Sequence, residues 1–463
     1  ATSARLEFAG HLVNGRAKTW FSRLDFYWED QYVDWEGLQF SFATDAPDTL
    51  RLVLPSLDLG LNQRRLINSG ALPPKLADVL SELAPQGLIR NLQVDVPLDN
   101  LDDLRVAGEL SSLVLESWRN APSVRGLNGY IEAGVKGGEL TIDSGRFLLG
   151  LPPVYREPLE FASLATRLQW QISDTQLSIR SGLIRAHDGD GRIGGRIALT
   201  LPLSADTEEE PEMALLVGLS NADASQRDQY LPAVLSDGLR RWLDDSIVRG
   251  RIAAAGFMFN GSLKNPEQRS LQLAVDGRDF ALDYHPDWPG LAKADVDLLL
   301  DGDQVHVRTE RAQIYQDVAL NDIDVSIGSA ADSTVLLKVK AKAEAPLISA
   351  LRVLRESALR EQIGSAFDEW SGQGRVEAVL DLNIPLSDGL APQARVHANV
   401  LADYIELENL RLRLDKVRGP LVFDSATGLN GRDIQAEVFG RPASINVSQS
   451  PGKPVLVNAK GRA

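Results

Sequence analysis

Apolar and polar residues alternate along most of this chain, and the alternation has the period of a β-strand. Leu92, Val94 and Val96 are separated by Gln93 and Asp95; Leu140 and Ile142 by Thr141; Leu168, Trp170 and Ile172 by Gln169 and Gln171. The same beat returns in Leu271, Leu273 and Val275, in Val296, Leu298 and Leu300, and in Leu410, Leu412 and Leu414. It is longest in Val376, Ala378, Leu380, Leu382 and Ile384. Such strands have one dry face and one wet face, as antiparallel sheets do. Asn128-Gly129, Gly137-Gly138, Asp188-Gly189, Asp301-Gly302 and Asn430-Gly431 read as tight turns between them. Short strands joined by tight turns predict meanders, and the absence of a regular β-α-β rhythm argues against a doubly wound parallel sheet.

A second pattern punctuates the first. Three times, an amphipathic helix runs into a glycine that opens a long alternating strand: 73–98, 231–263 and 346–386. The helical stripes are Leu76, Val79, Leu80 and Leu83, then Leu235, Leu239 and Trp242, then Ile363, Phe367 and Trp370; the glycines are Gly87, Gly250 and Gly374. These repeats divide the chain into modules 1–98, 99–263 with a helix at 231–247, 264–386 with a helix at 346–370, and a partial module 387–463. Roughly 25 strands are expected, and a sheet of that size must curl, close or split. At ~4.8 Å per strand a single ribbon runs roughly 120 Å. Curled with its apolar face inward it is a trough; split, it is two or three sandwiches. From the pattern alone the closed sandwich core is the simpler reading.

Composition removes several functions. The net charge of −16 leaves no basic surface for nucleic acid and disfavours anionic membrane surfaces. There is no cysteine, hence no disulfide, thiolate nucleophile or Cys-based metal site; this suits an extracytoplasmic Gram-negative protein. No apolar run approaches the ~18 residues of a membrane span. The chain starts and stops as if inside strands, and is expected to be a segment of a longer protein whose targeting and anchoring parts lie elsewhere.

The motifs that could carry chemistry fail on physical grounds. Gly189-x-Gly191-x-x-Gly194 matches a dinucleotide fingerprint, but a strand (RIALTLPL) follows where a helix N-terminus should receive the pyrophosphate. The two Asp-Gly-Asp turns, at Asp188–Asp190 and Asp301–Asp303, lack the distal glutamate of a calcium loop. His11, His187, His285, His306 and His397 are scattered, with no pair at helical spacing for zinc. No nucleophile elbow or P-loop is present. No catalytic residue, cofactor or metal ligand is assigned, and the chain is read as a non-enzyme. Of two exposed loops, 204–212 is an acidic run and 284–290 (YHPDWPG) a rigid bend whose Trp288 packs over a strand end.

Several stretches resemble the AsmA-like family of bacterial envelope proteins, and within it the very large YhdP branch. They are 76–87 (LADVLSELAPQG), 156–164 (REPLEFASL), 230–250 (YLPAVLSDGLRRWLDDSIVRG), 284–291 (YHPDWPGL), 417–423 (VRGPLVF) continuing to Gly428-Leu429, and 436–445 (AEVFGRPASI). The similarity runs from about Leu24 to the end; the Tyr-Leu-Pro helix and Asp-Trp-Pro elements are its specific parts. The resemblance implies a mainly-β fold: a long antiparallel, twisted and curled sheet forming an apolar groove, with three short amphipathic helices that cap the trough or pack outside it. It implies a periplasmic bridge, anchored in the inner membrane by a helix outside this chain. That bridge would carry phospholipid by its acyl chains between inner and outer membranes and support the outer-membrane barrier. The groove-lining residues expected are Leu92, Val94, Leu140, Ile142, Leu168, Trp170, Leu271, Leu273, Val275, Val296, Leu298, Leu300, Val376, Leu380 and Leu382. Each is also what a sealed core would use. The alternatives are a structural or adhesive β-sandwich envelope protein binding protein partners, and a glycosidase with paired carboxylates, for which no pair stands out.

Overall fold

The structure, a computed structural model, describes residues 4–14, 16–28, 31–35, 37–43, 49–68, 74–118, 121–152, 154–204, 209–329, 334–360, 367–386, 392–408, 411–450, 453 and 455–461. Among these, 28 strands are joined in antiparallel order. The mainly-β, curled antiparallel architecture expected from the alternation is the one observed. The helices are α1 (Leu59–Asn68), α2 (Pro74–Leu83), the single turn α3 (Arg227–Tyr230), α4 (Asp237–Ser246) and α5 (Leu347–Glu356).

The chain forms two compact units: residues 1–219, 228–236 and 258–270, and residues 220–227, 237–257 and 271–463. In the second unit the strands from Arg269–Leu282 to Leu456–Gly461 run as an unbroken meander, each bonded to the next in sequence. In the first unit the meander is less regular. Ser163–Ile172 pairs with Gly137–Ser144 on one side, and with both Gln176–Ser181 and Ile184–Asp188 on the other.

The chain is more exposed than closed sandwiches of its mass would be. The chain exposes 27,917 Å². A compact protein of its mass exposes roughly 17,000 Å², and two separate compact halves roughly 21,000 Å². The surplus accords with a sheet left open over part of its apolar face; in the second unit the rest of that face is sealed in the cluster around Leu407 and Ile445.

The curl has a local cause. One extra residue, with positive φ, interrupts the ladder at Asn91, Ser112, Asp279, Asp322, Lys416 and Asp433. Such bulges bend a strand and increase its twist. Three are closed by the following strand: Asn128 Oδ1 accepts from the Ser112 amide (2.9 Å), Asp295 Oδ1 from Asp279 (3.2 Å) and Asn446 Oδ1 from Asp433 (2.9 Å). The bulge thus leaves no orphaned donor.

This corrects three of the turn assignments. Asn128-Gly129 and Asn430-Gly431 lie inside the strands Ser123–Gly134 and Gly428–Val438, and Gly137-Gly138 open the strand Gly137–Ser144 just after the turn at 135–136. Asn128 serves a neighbouring bulge, and Gly129 is small because the Thr141 carbonyl approaches to 2.0 Å of where a Cβ would stand.

The helices also differ from expectation. Helix α1 was not foreseen. Helix α4 spans 237–246, so Leu235 precedes it, and Leu239 and Trp242 are 44 % and 47 % exposed. Within 346–370 one helix runs over 347–356, Leu359 and Arg360 are again helical, Ile363 lies outside the described residues, Phe367 is in a 3-10 turn of helix, and Trp370 is not helical but opens the strand Trp370–Pro385. The pattern missed was Leu347, Leu351 and Leu354, one helical face four and three residues apart. Gly87 does stand at the start of its strand, whereas Gly374 lies four residues inside Trp370–Pro385; both face a bulge in the neighbouring strand, with φ of +115° and +130°. Gly250 has another reason: with Gly277 it makes room for the Phe280 ring.

Candidate functional site

Registers convert the separate alternating strands into continuous cross-strand rows. In the second unit Val275 pairs with Leu298, then Val307, Val325, Val339, Leu382 and Ala394, strand after strand. Beside it runs Leu273, Leu300, Val305, Ile327, Leu337 and Ile384. A third row joins Ala341, Leu380, Val396, Phe423 and Leu429. In the first unit one row runs Phe40, Leu52, Val94, Val106, Ala133, Gly138, Trp170, Ile179 and Leu199. Trp170 fits this row because its neighbour is a glycine; a Cβ on Gly138 would stand 2.4 Å from the indole.

The sequence-predicted residues fall on these rows or beside them. Leu140 pairs with Ile131 and Leu168, Val376 with Ala345 and Val400, and Val296 with Gly277. Leu271 keeps the parity of Leu273 and Val275, and its carbonyl receives the Gly302 amide across the hairpin. Leu92, Ile142 and Leu382 are buried, at 5–8 % exposure. The other twelve are half-buried. Sequence reasoning omitted the partners that complete the rows: Val305, Val307, Val325, Ile327, Leu337 and Val339. Their own period-two spacing in 304–314, 318–329 and 335–346 carried the signal.

The opposite face is charged in an ordered way. In register with one another stand Asp297, Arg308, Asp324, Lys340, Asp381, Arg395 and Asp424, alternating in sign over seven strands. Arg308 meets Asp324 at 3.3 Å and Arg395 meets Asp424 at 2.8 Å. In the first unit Arg51 grips Asp95 at 2.6 Å and holds its carboxyl below the usual aspartate range, with Gln93 adding a second bond.

Helix α5 lies on the apolar side at one end of the strands. Leu347 and Leu351 are buried with Ala402, Ile405, Leu407, Leu414 and Val417, and Leu347 fills the space that a Cβ on Gly372 would need. Ala350 and Val353 pack with Leu291, Ile314, Val318 and Leu320. The helix packs chiefly on the two strands that flank it in sequence, Val335–Pro346 and Trp370–Pro385. Polar contacts fix its outer side. Ser349 Oγ donates to Asp317 (2.6 Å), Tyr315 Oη to Glu356 (2.6 Å), and Arg352, stacked 3.9 Å from the Tyr315 ring centre, to Glu356 (3.0 Å). Burial, then the Glu356 carboxylate, push the Tyr315 phenol up to about 12, so it remains a donor at neutral pH. Trp288 packs against the same core, and the Asp287 carbonyl receives the Ala358 amide at 2.9 Å.

The chemistry on offer is hydrocarbon contact. The apolar rows present aliphatic and aromatic side chains without directional bonds. Among the described residues no group of three or more His, Asp or Glu side chains could hold a metal ion, and no helix is long and apolar enough to cross a membrane.

An antiparallel sheet with one apolar face, curled and partly capped by short helices, defines the β-groove class of protein. Within that class the chain belongs to the YhdP family: the family described as YhdP protein matches residues 18–463. It is 25% identical over 428 residues to the intermembrane phospholipid transporter YhdP of Escherichia coli (strain K12). That alignment covers 89% of this chain and 33% of the relative, so the chain spans about a third of the relative's length. No solved structure matches.

Proposed function

We propose that this chain is a periplasmic stretch of a lipid bridge, which shelters phospholipid acyl chains along its apolar face between inner and outer membranes and so supports the outer-membrane barrier. The observation that carries the reading is the set of unbroken apolar rows on one face of the sheet, half-buried along most of their length and buried at Ala341, Leu382, Ala394, Phe423 and Leu429. The relative's name, an intermembrane phospholipid transporter, supplies the cargo class. The wall comprises the expected lining residues, Leu92 to Leu382, together with the row partners Val305, Val307, Val325, Ile327, Leu337 and Val339. The four sequence modules are successive stretches of the trough.

The energetics fit a conduit. At ~0.8 kcal/mol per methylene, exposing a tail of about 16 carbons to water costs on the order of 12 kcal/mol. An aliphatic wall offsets most of that at every step, and without directional bonds it gives no step a deeper well than the next. Selection is by tail, since the outer face is acidic overall and the apolar rows carry no cation. Passage through this stretch is passive, and no catalytic step belongs to it.

The test is native mass spectrometry of the chain after incubation with phosphatidylethanolamine/phosphatidylglycerol vesicles. The chain should emerge with phospholipid bound. Leu298→Asp and Leu380→Asp should each reduce the bound lipid at least fivefold while the β-rich circular dichroism is retained. A wild-type chain that emerges without lipid, or aspartate variants that carry as much as wild type, overturns the reading. Asp297→Lys, on the charged face, should leave the lipid signal unchanged, whereas an adhesive outer surface would be weakened by it.

A further inference from the structure

Helix α5 occupies the same face as the apolar rows, and so competes with any tail lying there. Ile405 and Leu407 stand on the face that carries Val396 and Val400, the strand's parity having been reset by the bulge opposite Gly374. They are 5 % and 1 % exposed, sealed in the cluster that holds Leu347 and Leu351. The wall therefore continues beneath the helix.

The sheet does not depend on the helix. The strands Val335–Pro346 and Trp370–Pro385, which flank α5 in sequence, are paired with each other from Leu336–Pro385 to Pro346–Arg375. The connection carrying α5 leaves the ladder at Pro346 and rejoins it at a strand whose first turns of backbone contain Gly372 and Gly374. Gly374 sits at φ +130° opposite the bulge. A swing of the helix that turns at Pro346 and ahead of Trp370 leaves both sets of rungs in place, those of Val335–Pro346 with Trp370–Pro385 and those of Trp370–Gln373 with Tyr404–Leu407.

What holds the helix down at its rim is polar and side-chain based. Asp317 holds Ser349; Tyr315 and Arg352 hold Glu356; Arg355 reaches the Phe367 carbonyl at 2.9 Å and also that of Trp370. Beneath these catches Leu347 and Leu351 are buried in the apolar cluster, so the helix lifts only when something equally apolar takes its place, as an acyl chain does. Pro346 caps the helix N-terminus without a side-chain hydrogen bond, and Ile348 on the outer side is 51 % exposed.

From these observations we infer that α5 is a latched cap: it covers the apolar wall at Ile405 and Leu407 in the resting chain and lifts from it when an acyl chain occupies that wall. The inference rests on the conduit reading and adds a moving part to it. The alternative is a fixed partition that keeps tails permanently to the opposite ends of the strands.

The chain has no native cysteine, so a lock can be installed cleanly. Asp317→Cys with Ser349→Cys joins the rim turn to the helix when oxidised. The full chain is incubated with phosphatidylethanolamine/phosphatidylglycerol vesicles containing a phospholipid with a diazirine in its tail, irradiated, and mapped by peptide mass spectrometry. Adducts at Ile405 and Leu407 are expected in wild type and in the reduced double variant. Oxidation should reduce them at least tenfold while adducts at Leu298 persist. Tyr315→Phe, which removes one catch, should raise the Ile405 and Leu407 adducts several-fold with unchanged circular dichroism. Adducts beneath the helix that survive oxidation, or that are absent from wild type while Leu298 is labelled, overturn the cap. Absence of adducts everywhere, Leu298 included, overturns the conduit itself.

Discussion

Gly374 and Gly302 are both left-handed glycines, and they differ in what surrounds them. A Cβ at Gly374 would stand 2.4 Å from the Ala402 Cα and 2.5 Å from the Leu401 carbonyl, at φ +130°. At Gly302, φ is +61° and nothing lies within 4 Å. Gly374→Ala should therefore cost at least ~2 kcal/mol, against about 1 kcal/mol for Gly302→Ala; urea midpoints of the two variants would show the order. Asp95 supplies a second residue-scale expectation. Its folded pKa lies below its unfolded value because Arg51 and Gln93 bind the charged form. That stabilisation is whole at neutral pH and is lost as pH falls from about 4 through the depressed folded value. Asp95→Asn should flatten the acid limb of the stability curve, comparing urea midpoints at pH 5 and pH 3. At this scale the sequence was least legible. Asn128-Gly129 has the composition of a hairpin turn but lies in a strand, because its side chain serves a bulge on a neighbour that no local pattern announces.

Strands were legible where helices were not, and the reason is length. Five alternating positions in 376–384 fix a strand and its face by themselves. A ten-residue helix offers two or three apolar positions, and competing stripes can be drawn through the same stretch. Thus Phe367 and Trp370 suggested a helix, although Trp370 belongs to the ladder and Leu347–Glu356 holds the helix. The face alternation also left the charged side unread, because single strands do not show which charges become neighbours. Only the register reveals Asp324, Lys340 and Asp381 side by side. Cross-strand opposite charges contribute roughly 0.2–1 kcal/mol each and like charges oppose pairing. Lys340→Glu should then destabilise the second unit by about 1 kcal/mol or more, and by less in 0.5 M salt, where screening shortens the reach of the repulsion; urea unfolding at both ionic strengths measures the difference.

For the whole molecule, the decisive quantity was not written in the alternation. An apolar parity serves a sealed core and an open wall equally, so Leu298 and Leu380 could not distinguish them in sequence. The distinction came from the surface left exposed and from the half-burial of twelve of the fifteen expected lining residues. An open wall is costly to a protein that works empty, and it should respond to what fills it. Bound phospholipid adds stability by mass action. The thermal midpoint of the chain should rise with phospholipid concentration, and rise less for Leu298→Asp, as scanning calorimetry can follow.

The unbroken meander of the second unit has one last consequence. Because every strand bonds only to those adjacent in the chain, deleting or duplicating any two consecutive strands restores both the direction of the backbone and the side on which its aliphatic residues stand. A single strand restores neither. Proteins built this way can change span only by whole hairpins, in increments of ~10 Å, so the distance each one crosses is set by a count.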